Sequence, residues 1–316
     1  MKQIVSLILF LSIACSSSSD TMDATGSCSD GLKNGNETGV DCGGDCGSCQ
    51  EEGVTIPGAG YNAPTSYSEY SLFWSDEFSG SGLDSGKWNY NLGTGCPSLC
   101  GWGNSELQTF TNSLDNLYFK DGNLIIEANH DGSKYASARI NTDNKFEFQY
   151  GRVDIRAAMP SASGTWTALF MLNKDYTISN PGAHWPSGGE IDIMEYLGED
   201  HHDIMGTGHY GTDFPNNHRY NSKHYSSQNG QSFNEAYYVY SIVWEEDKIT
   251  WLVNDVAYHS ITPQITGANG QPYPFNDAFY LIFALSVGGN LPNATPVATS
   301  FPDYLIIDYV RVYKKN

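Results

Sequence analysis

Gly189-Glu190-Ile191-Asp192-Ile193-Met194-Glu195 sets three carboxylates into six residues of an otherwise apolar, strand-forming run. Strands disfavour Asp and Glu, and a buried carboxylate is costly unless paired or hydrogen-bonded, so a segment carrying three lines a cleft. Acids this close push one another's pKa values apart, which lets one stay ionised while another keeps its proton. That division suits a carboxylate nucleophile working beside a carboxylic acid. On a regular strand Glu190, Asp192 and Met194 share a face and Glu195 lies on the other. One bulge restores Glu195 to the acidic face and leaves Glu190 and Glu195 about 13 Å apart at Cα, a gap that inward-leaning side chains largely close. Acids exposed on an edge strand are the bland alternative; the alternation of Ile191 and Ile193 with the acids argues instead for a strand with one buried face.

The elements around this run read as strands. From Tyr67 onward, apolar or alternating runs recur between turn signals at residues 122–128, 151–157, 237–244, 248–253, 278–285 and 305–313, and long 3.6-period segments are missing. This is the pattern of an all-β antiparallel sandwich or jelly roll, with Asn254-Asp255 as the turn of one hairpin. Its 316 residues, with 33 Gly and 13% aromatic content, fit one large β body of roughly 250 residues plus a short N-terminal extension. A formal charge of −20 with 16 Lys+Arg excludes nucleic acid and anionic membrane as partners, disfavours strongly anionic polysaccharides and favours a neutral ligand. The 21 Tyr and 7 Trp serve either as core filler or as flat apolar surfaces for sugar rings.

The extension divides into segments. Residues 1–15 read as a secretory signal, with Lys2 before a short apolar core, and Ala14-Cys15-Ser16 resembles a bacterial lipobox in which Cys15 becomes a lipidated N-terminus. Ser12 departs from that pattern, and ordinary cleavage nearby is the alternative. The expected location is therefore outside the cytoplasm, as an outer-membrane lipoprotein or at the cell surface, otherwise secreted, with any membrane contact only through Cys15. Residues 16–27 read as a flexible tether, and 28–49 as a Cys-rich module whose Cys28, Cys42, Cys46 and Cys49 suit two disulfides in an oxidising compartment better than zinc. Residues 50–65, with Pro57, Gly58, Gly60 and Pro64, read as a linker, and 66–316 as the catalytic domain. Cys96 and Cys100 are placed to close a disulfide before Trp102.

The Glu-Ile-Asp-Ile-Met-Glu run resembles the signature of glycoside hydrolase family 16 in its bulged form, found in laminarinases, agarases and carrageenases. The likeness extends from about Phe73 to Tyr313 through Trp74-Ser75-Asp76-Glu77-Phe78, Trp102-Gly103-Asn104-Ser105-Glu106-Leu107-Gln108, Tyr150-Gly151-Arg152, residues 164–172, Trp185-Pro186 and residues 308–313. It implies a concanavalin-like sandwich with a concave cleft and double displacement with retention, in which Glu190 is the nucleophile, Glu195 the general acid/base and Asp192 the helper between them. It further implies that Trp166 and Trp185 floor the cleft, that Asn104 and Arg152 contact the sugar, and that His209 stands near the acid/base. Trp102 and Glu106 are candidates for the neighbouring subsites. Packing alone is the alternative for Trp166, and a structural histidine for His209.

The Trp-Gly-Asn-Ser-Glu-Leu-Gln segment and Gly288-Gly289-Asn290 resemble the laminarinase branch, implying an endo-acting enzyme on internal β-1,3 bonds of β-glucan; separately, a monomer is expected. Galactans and mixed-linkage glucan are the alternative substrates, and a non-catalytic β-glucan-binding protein the alternative class. Residues 164–170 depart from the Trp-Pro-Ala-aromatic pattern usual in the family, and Leu291-Pro292 follows Gly-Gly-Asn where an aromatic is usual. Catalysis requires no cofactor on this reading. Members of the family hold a structural Ca2+, for which the Asp308 side chain and the backbone at Glu77 and Gly122 are the matching positions.

Overall fold

Apolar and polar residues alternating with period two build the body of the chain from strands. The computed structural model describes residues 53–316 together with Cys28, Gly35, Gly44 and Cys46. By internal contacts the chain forms two units, Met1–Gly53 and Val54–Asn316. In the first, Cys28 and Cys46 form a disulfide with Cα atoms 5.5 Å apart. The signal segment, Cys15, the tether, Cys42 and Cys49 lie outside the described residues.

The second unit opens with β1 (Tyr70–Asp76), β2 (Asn89–Tyr90), β3 (Thr109–Phe110), β4 (Leu117–Lys120), β5 (Asn123–His130) and β6 (Tyr135–Ser137). It continues through β7 (Arg139–Asn141), β8 (Glu147–Phe148), β9 (Gly151–Ala158), β10 (Thr165–Asn173), β11 (Glu190–Leu197) and β12 (Asp203–Gly211). It ends with β13 (His218–Ser226), β14 (Tyr238–Glu245), β15 (Lys248–Val253), β16 (Val256–Ile261), β17 (Phe279–Val287) and β18 (Asp303–Lys315). The larger sheet runs β16-β15-β14-β9-β18-β5-β6-β3, with β1 also on β18 and β4 on β5. The smaller runs β13-β12-β11-β10-β17-β7-β2, with β8 on β17. All pairs are antiparallel except the short β3–β6 pair. The expected hairpin turn is present: Asn254 and Asp255 join β15 to β16 with φ of 50° and 64°, as a two-residue primed turn requires.

The sandwich core is the apolar half of each alternation. Val153, Ile155, Ala157, Ile242 and Val310 from the larger sheet meet Leu169, Met171, Ile191, Ile193 and Leu285 from the smaller. Trp251 on β15 crosses the core and donates its indole N–H to the backbone carbonyl of Asp192, at 2.8 Å. The core thereby holds the middle of the acidic strand.

One boundary differs from the sequence expectation. Residues 54–65 are not a free linker: Val54 packs with Ile125, Ala158 and Ile306, Ala63 packs with Val239 and Tyr309, and Tyr61 N–H donates to the Tyr237 carbonyl. Pro and Gly shape this segment as a strap, while its sparse apolar residues cover the outer face of the larger sheet.

Candidate active site

β11 sits between β10 and β12, well inside the smaller sheet. Ile191, Ile193, Met194 and Tyr196 all point into the core, so two consecutive residues, Ile193 and Met194, face inward. The register records the same event: Met194 pairs Leu169 and Asp192 pairs Phe170, leaving Ile193 as the extra residue. This bulge puts Glu190, Asp192 and Glu195 together on the outer face. Gly189 leads into the strand with φ of 82°, and a Cβ there would meet the Pro274 and Phe275 rings at 3.0–3.1 Å, so only glycine fits the approach.

Each outer acid is gripped by an indole. Trp185 Nε1 donates to Glu190 Oε2 at 2.5 Å, and Trp166 Nε1 donates to Glu195 Oε1 at 3.2 Å. Thr207 Oγ1, one strand over, donates to Glu195 Oε2 at 3.4 Å. Asp192 stands between Glu190 and Glu195 on the same face, and its Oδ2 has no hydrogen-bond partner among the described residues. His209 pairs with Glu190 in the β11–β12 register and brings Nε2 to 3.2 Å from Asp192 Oδ2, an ion-pair distance without hydrogen-bond alignment. Its Nδ1 lies 2.9 Å from His218 Nε2.

Burial raises all three carboxyls, and charge repulsion adds to it at Glu190 and Glu195. Glu195 is pushed to about 8 by desolvation and then by Asp192, against the weaker pull of His209. Asp192 is raised to about 8, by burial first. Glu190 rises less, to about 7, because His209, the Trp185 N–H and Arg139 oppose burial and the Asp192 charge. The three titrate as one unit, every member raised by burial, and Glu190 has the most partners that favour its charge.

A cation that the motifs do not mark completes the floor. Arg139 on β7 aligns with Ala284, which aligns with Ala168 and then Glu195, so two alanines lie between the cation and the acid across the strands. Its guanidinium lies between the Trp102 and Phe170 rings, 4.7 and 5.2 Å from their centroids, and Nε donates to Asn91 Oδ1 at 3.2 Å. The sequence carries a weak signal for it: in Ser137-Ala138-Arg139-Ile140-Asn141, buried Ala138 and Ile140 alternate with Arg139 and Asn141.

Arg152 lies elsewhere, which corrects the sequence assignment. It is on β9 of the larger sheet, where Val153 and Ile155 face the core and Arg152 faces the opposite outer surface. There it binds Asp154 at 2.7 Å, contacts Asp255 and stacks on Tyr67, a buried network far from β11. The Tyr-Gly-Arg motif marks the start of a strand, but that strand belongs to the sheet behind the cleft and its arginine faces away from the sugar.

The remaining expected residues divide between the site and the opposite sheet. Gln108 Nε2 donates to Glu106 Oε2 at 2.7 Å, and burial raises the Glu106 pKa while Arg139 opposes the rise. A Cβ on Gly289 would lie 3.1 Å from the Asn104 carbonyl, 3.4 Å from Glu106 and 3.5 Å from Trp166, so these three close one rim. Trp102 is buried, donates to the Gly93 carbonyl and serves as a plate under Arg139. Cys96 and Cys100 are bonded just before it, as expected. Asp308 is on β18 of the larger sheet, Glu77 directly follows β1 and Gly122 lies in the turn between β4 and β5. β18 pairs β5 as far as Ile307–Leu124 and pairs β1 from Val310–Asp76, so Asp308 occupies the gap beside Glu77 and the Gly122 turn. Asp308 Oδ2 accepts from Arg156 at 2.6 Å, Glu77 is held by Arg311, and Asp308 Oδ1 has no protein partner among the described residues.

The model of the family described as glycosyl hydrolases family 16 matches residues 104–305. The chain belongs to that family. It is 42% identical over 78% of its length to glucan endo-1,3-beta-glucosidase A1 of Niallia circulans, spanning 38% of that protein. It is 39% identical over 78% of its length to a beta-glucanase of Rhodothermus marinus, spanning 85% of it. Its structure resembles the laminarinase catalytic domain of Thermotoga maritima with a TM-score of 0.70 and 36% identity, covering 78% of this chain and 99% of that one. The family 16 match takes in the acidic strand, both gripping tryptophans and Arg139, and ends before Asp308.

Two outcomes follow for this family 16 site. A raised carboxyl binds its proton more tightly when folded, so the stability that the protonated acid contributes is full below the unfolded value of 4.5 and is lost as pH rises through about 8. Glu195→Gln cannot lose a proton, so its melting temperature should match wild type near pH 4 and exceed it increasingly toward pH 8; a gap constant with pH would contradict the burial argument. Arg139→Met keeps the stem between its rings and removes the charge. It should lower kcat/KM on glucan by roughly 10–100-fold with a melting temperature within a few degrees of wild type, whereas full activity would place Arg139 outside the site.

Proposed function

We propose that this family 16 enzyme hydrolyses internal β-1,3 bonds of laminarin-type β-glucan with retention of configuration. The observation that carries the reading is the bulged strand, which sets Glu190 and Glu195 on one face, each fixed by a tryptophan N–H, with the raised Glu195 carboxyl suited to the acid role. Glu195, still protonated, gives its proton to the glycosidic oxygen while ionised Glu190 attacks the anomeric carbon; the C–O bond to the leaving chain breaks and a glycosyl ester on Glu190 forms. Esterification removes the Glu190 charge, which lowers the Glu195 pKa and leaves it as a base. It then takes a proton from water, whose oxygen attacks the same carbon and frees Glu190. Asp192, between Glu190 and Glu195 on the same face, raises the pKa of both through its charge. Trp166 and Trp185 present ring faces beside the reacting sugar, and Asn104, Glu106, His209 and Arg139 supply polar contacts around it.

The relatives' glucanase names support the β-1,3-glucan choice, and the −20 charge favours a neutral polysaccharide. Retention of both glutamates and of Asp192 favours hydrolysis over binding alone. The enzyme is exported and held at the cell surface by a lipid on Cys15, a reading that the signal and lipobox residues support. A structural Ca2+ fits the gap at Asp308: Asp308 Oδ1 lacks a protein partner among the described residues, and the backbone carbonyls of Glu77 and Gly122 are hard oxygen donors of the kind calcium takes.

Long laminarin chains should shorten rapidly in the presence of the enzyme, with new reducing ends appearing throughout, and Glu190→Gln should abolish this. Cleavage of agarose or κ-carrageenan in place of laminarin would overturn the substrate, and tight binding with no cleavage of any polysaccharide would overturn the reaction. EDTA should lower the melting temperature by several degrees, calcium should restore it, and Asp308→Asn should remove the response; an EDTA-insensitive wild type would refute the metal.

A further inference from the structure

β12 and β13 form the hairpin at the edge of the smaller sheet, and its outer face carries aromatic rings that begin at the carboxylates. In register, Glu190 pairs His209 and His209 pairs Tyr220, which sets the Tyr220 strand about 10 Å from that of Glu190, across the strands. Trp185 lies 4.7 Å from His218 and 5.2 Å from Phe214 between centroids, and Tyr220 lies 5.8 Å from His209 and 6.2 Å from His218. The far end of this surface is wet: Phe214 is 60% exposed and Tyr220 64% exposed.

The loop between the two strands is built to hold Phe214 out. Gly211 turns it with φ of 141°, and a Cβ there would lie 2.0 Å from the Asn217 carbonyl, so the loop closes over a glycine. Asp213 accepts from Asn217 Nδ2 at 2.6 Å, Thr212 Oγ1 at 3.1 Å and Asn216 Nδ2 at 3.4 Å, bonds that hold its pKa low and tie the turn together. Phe214 gains none of the core burial that usually fixes a phenylalanine. Its placement is set by this polar turn, and its exposed ring continues the surface of Trp185.

We propose that Phe214 and Tyr220, joined to Trp185 through His218, form a distal sugar subsite that holds β-glucan beyond the hairpin edge of the site. A neutral pyranose presents C–H faces that pack on such rings without charge, and the surface is continuous with the site where the carboxylates act. The inference rests on the reading that glucan occupies that site. A subsite removed from the reacting bond contributes affinity for long chains and favours endo action, because it engages only ligands that extend past Trp185.

The test uses the full chain in the inactive Glu190→Gln background, with laminarin as the probe in affinity electrophoresis. Adding Phe214→Ala and Tyr220→Ala should weaken laminarin binding roughly tenfold, while Phe214→Tyr with Tyr220→Phe, which keeps both rings, should retain it. Unchanged binding in the alanine variant, or equal loss in the ring-preserving variant, would overturn the subsite. Turnover of laminarin by the wild type is read in parallel. If turnover is absent but binding responds to the alanine pair, hydrolysis of laminarin fails and the subsite stands.

Discussion

Three carboxyl groups removed from water on one strand cannot all be ionised, and the rest of the structure depends on how that constraint is met. Burial alone would keep all three protonated. His209 and the Asp192 charge act on both outer acids; what separates the two is that Arg139 also favours charge on Glu190, while Glu195 also meets the Glu190 charge. Acid and nucleophile therefore differ by their neighbours, although a single strand carries both.

That arrangement asks much of the backbone. A regular strand would turn Glu195 into the core, so the bulge at Ile193-Met194 is a condition of the chemistry, and the sandwich enforces it from behind. Both inward side chains are apolar and fit the core, and Trp251 fixes the Asp192 carbonyl from the opposite sheet. In front, the alanines at 168 and 284 lie between Glu195 and Arg139 across the strands. The same sheet then carries the aromatic hairpin at its edge, so the catalytic strand and the far binding surface share one set of registers.

Much of this is legible in the chain. Period-two alternation and turn residues point to the sandwich, the three acids mark the site, and their parity demands a bulge. Asn254-Asp255 names its turn correctly because two adjacent residues tolerant of positive φ have few other uses. The failures share one cause. Arg152 and Arg139 both stand at the start of strands that alternate polar with apolar residues, and which sheet each joins depends on pairings between distant segments that local sequence does not encode. The strap at residues 54–65 reads as a linker because its Pro and Gly are conspicuous, whereas the few apolar residues that bury it gain meaning only once the surface beneath them exists. Phe214 escapes notice for a related reason: one aromatic in a polar turn shows its role only beside Trp185.

The central claim is that Glu190 attacks carbon and Glu195 moves the protons, and the configuration of the first product tests it most directly. Proton NMR of the anomeric region during early hydrolysis of laminarin should show the β-anomer of the new reducing end first, with the α-anomer rising later by mutarotation. An α-anomer formed first would mean that water attacks directly, and would contradict a nucleophilic Glu190.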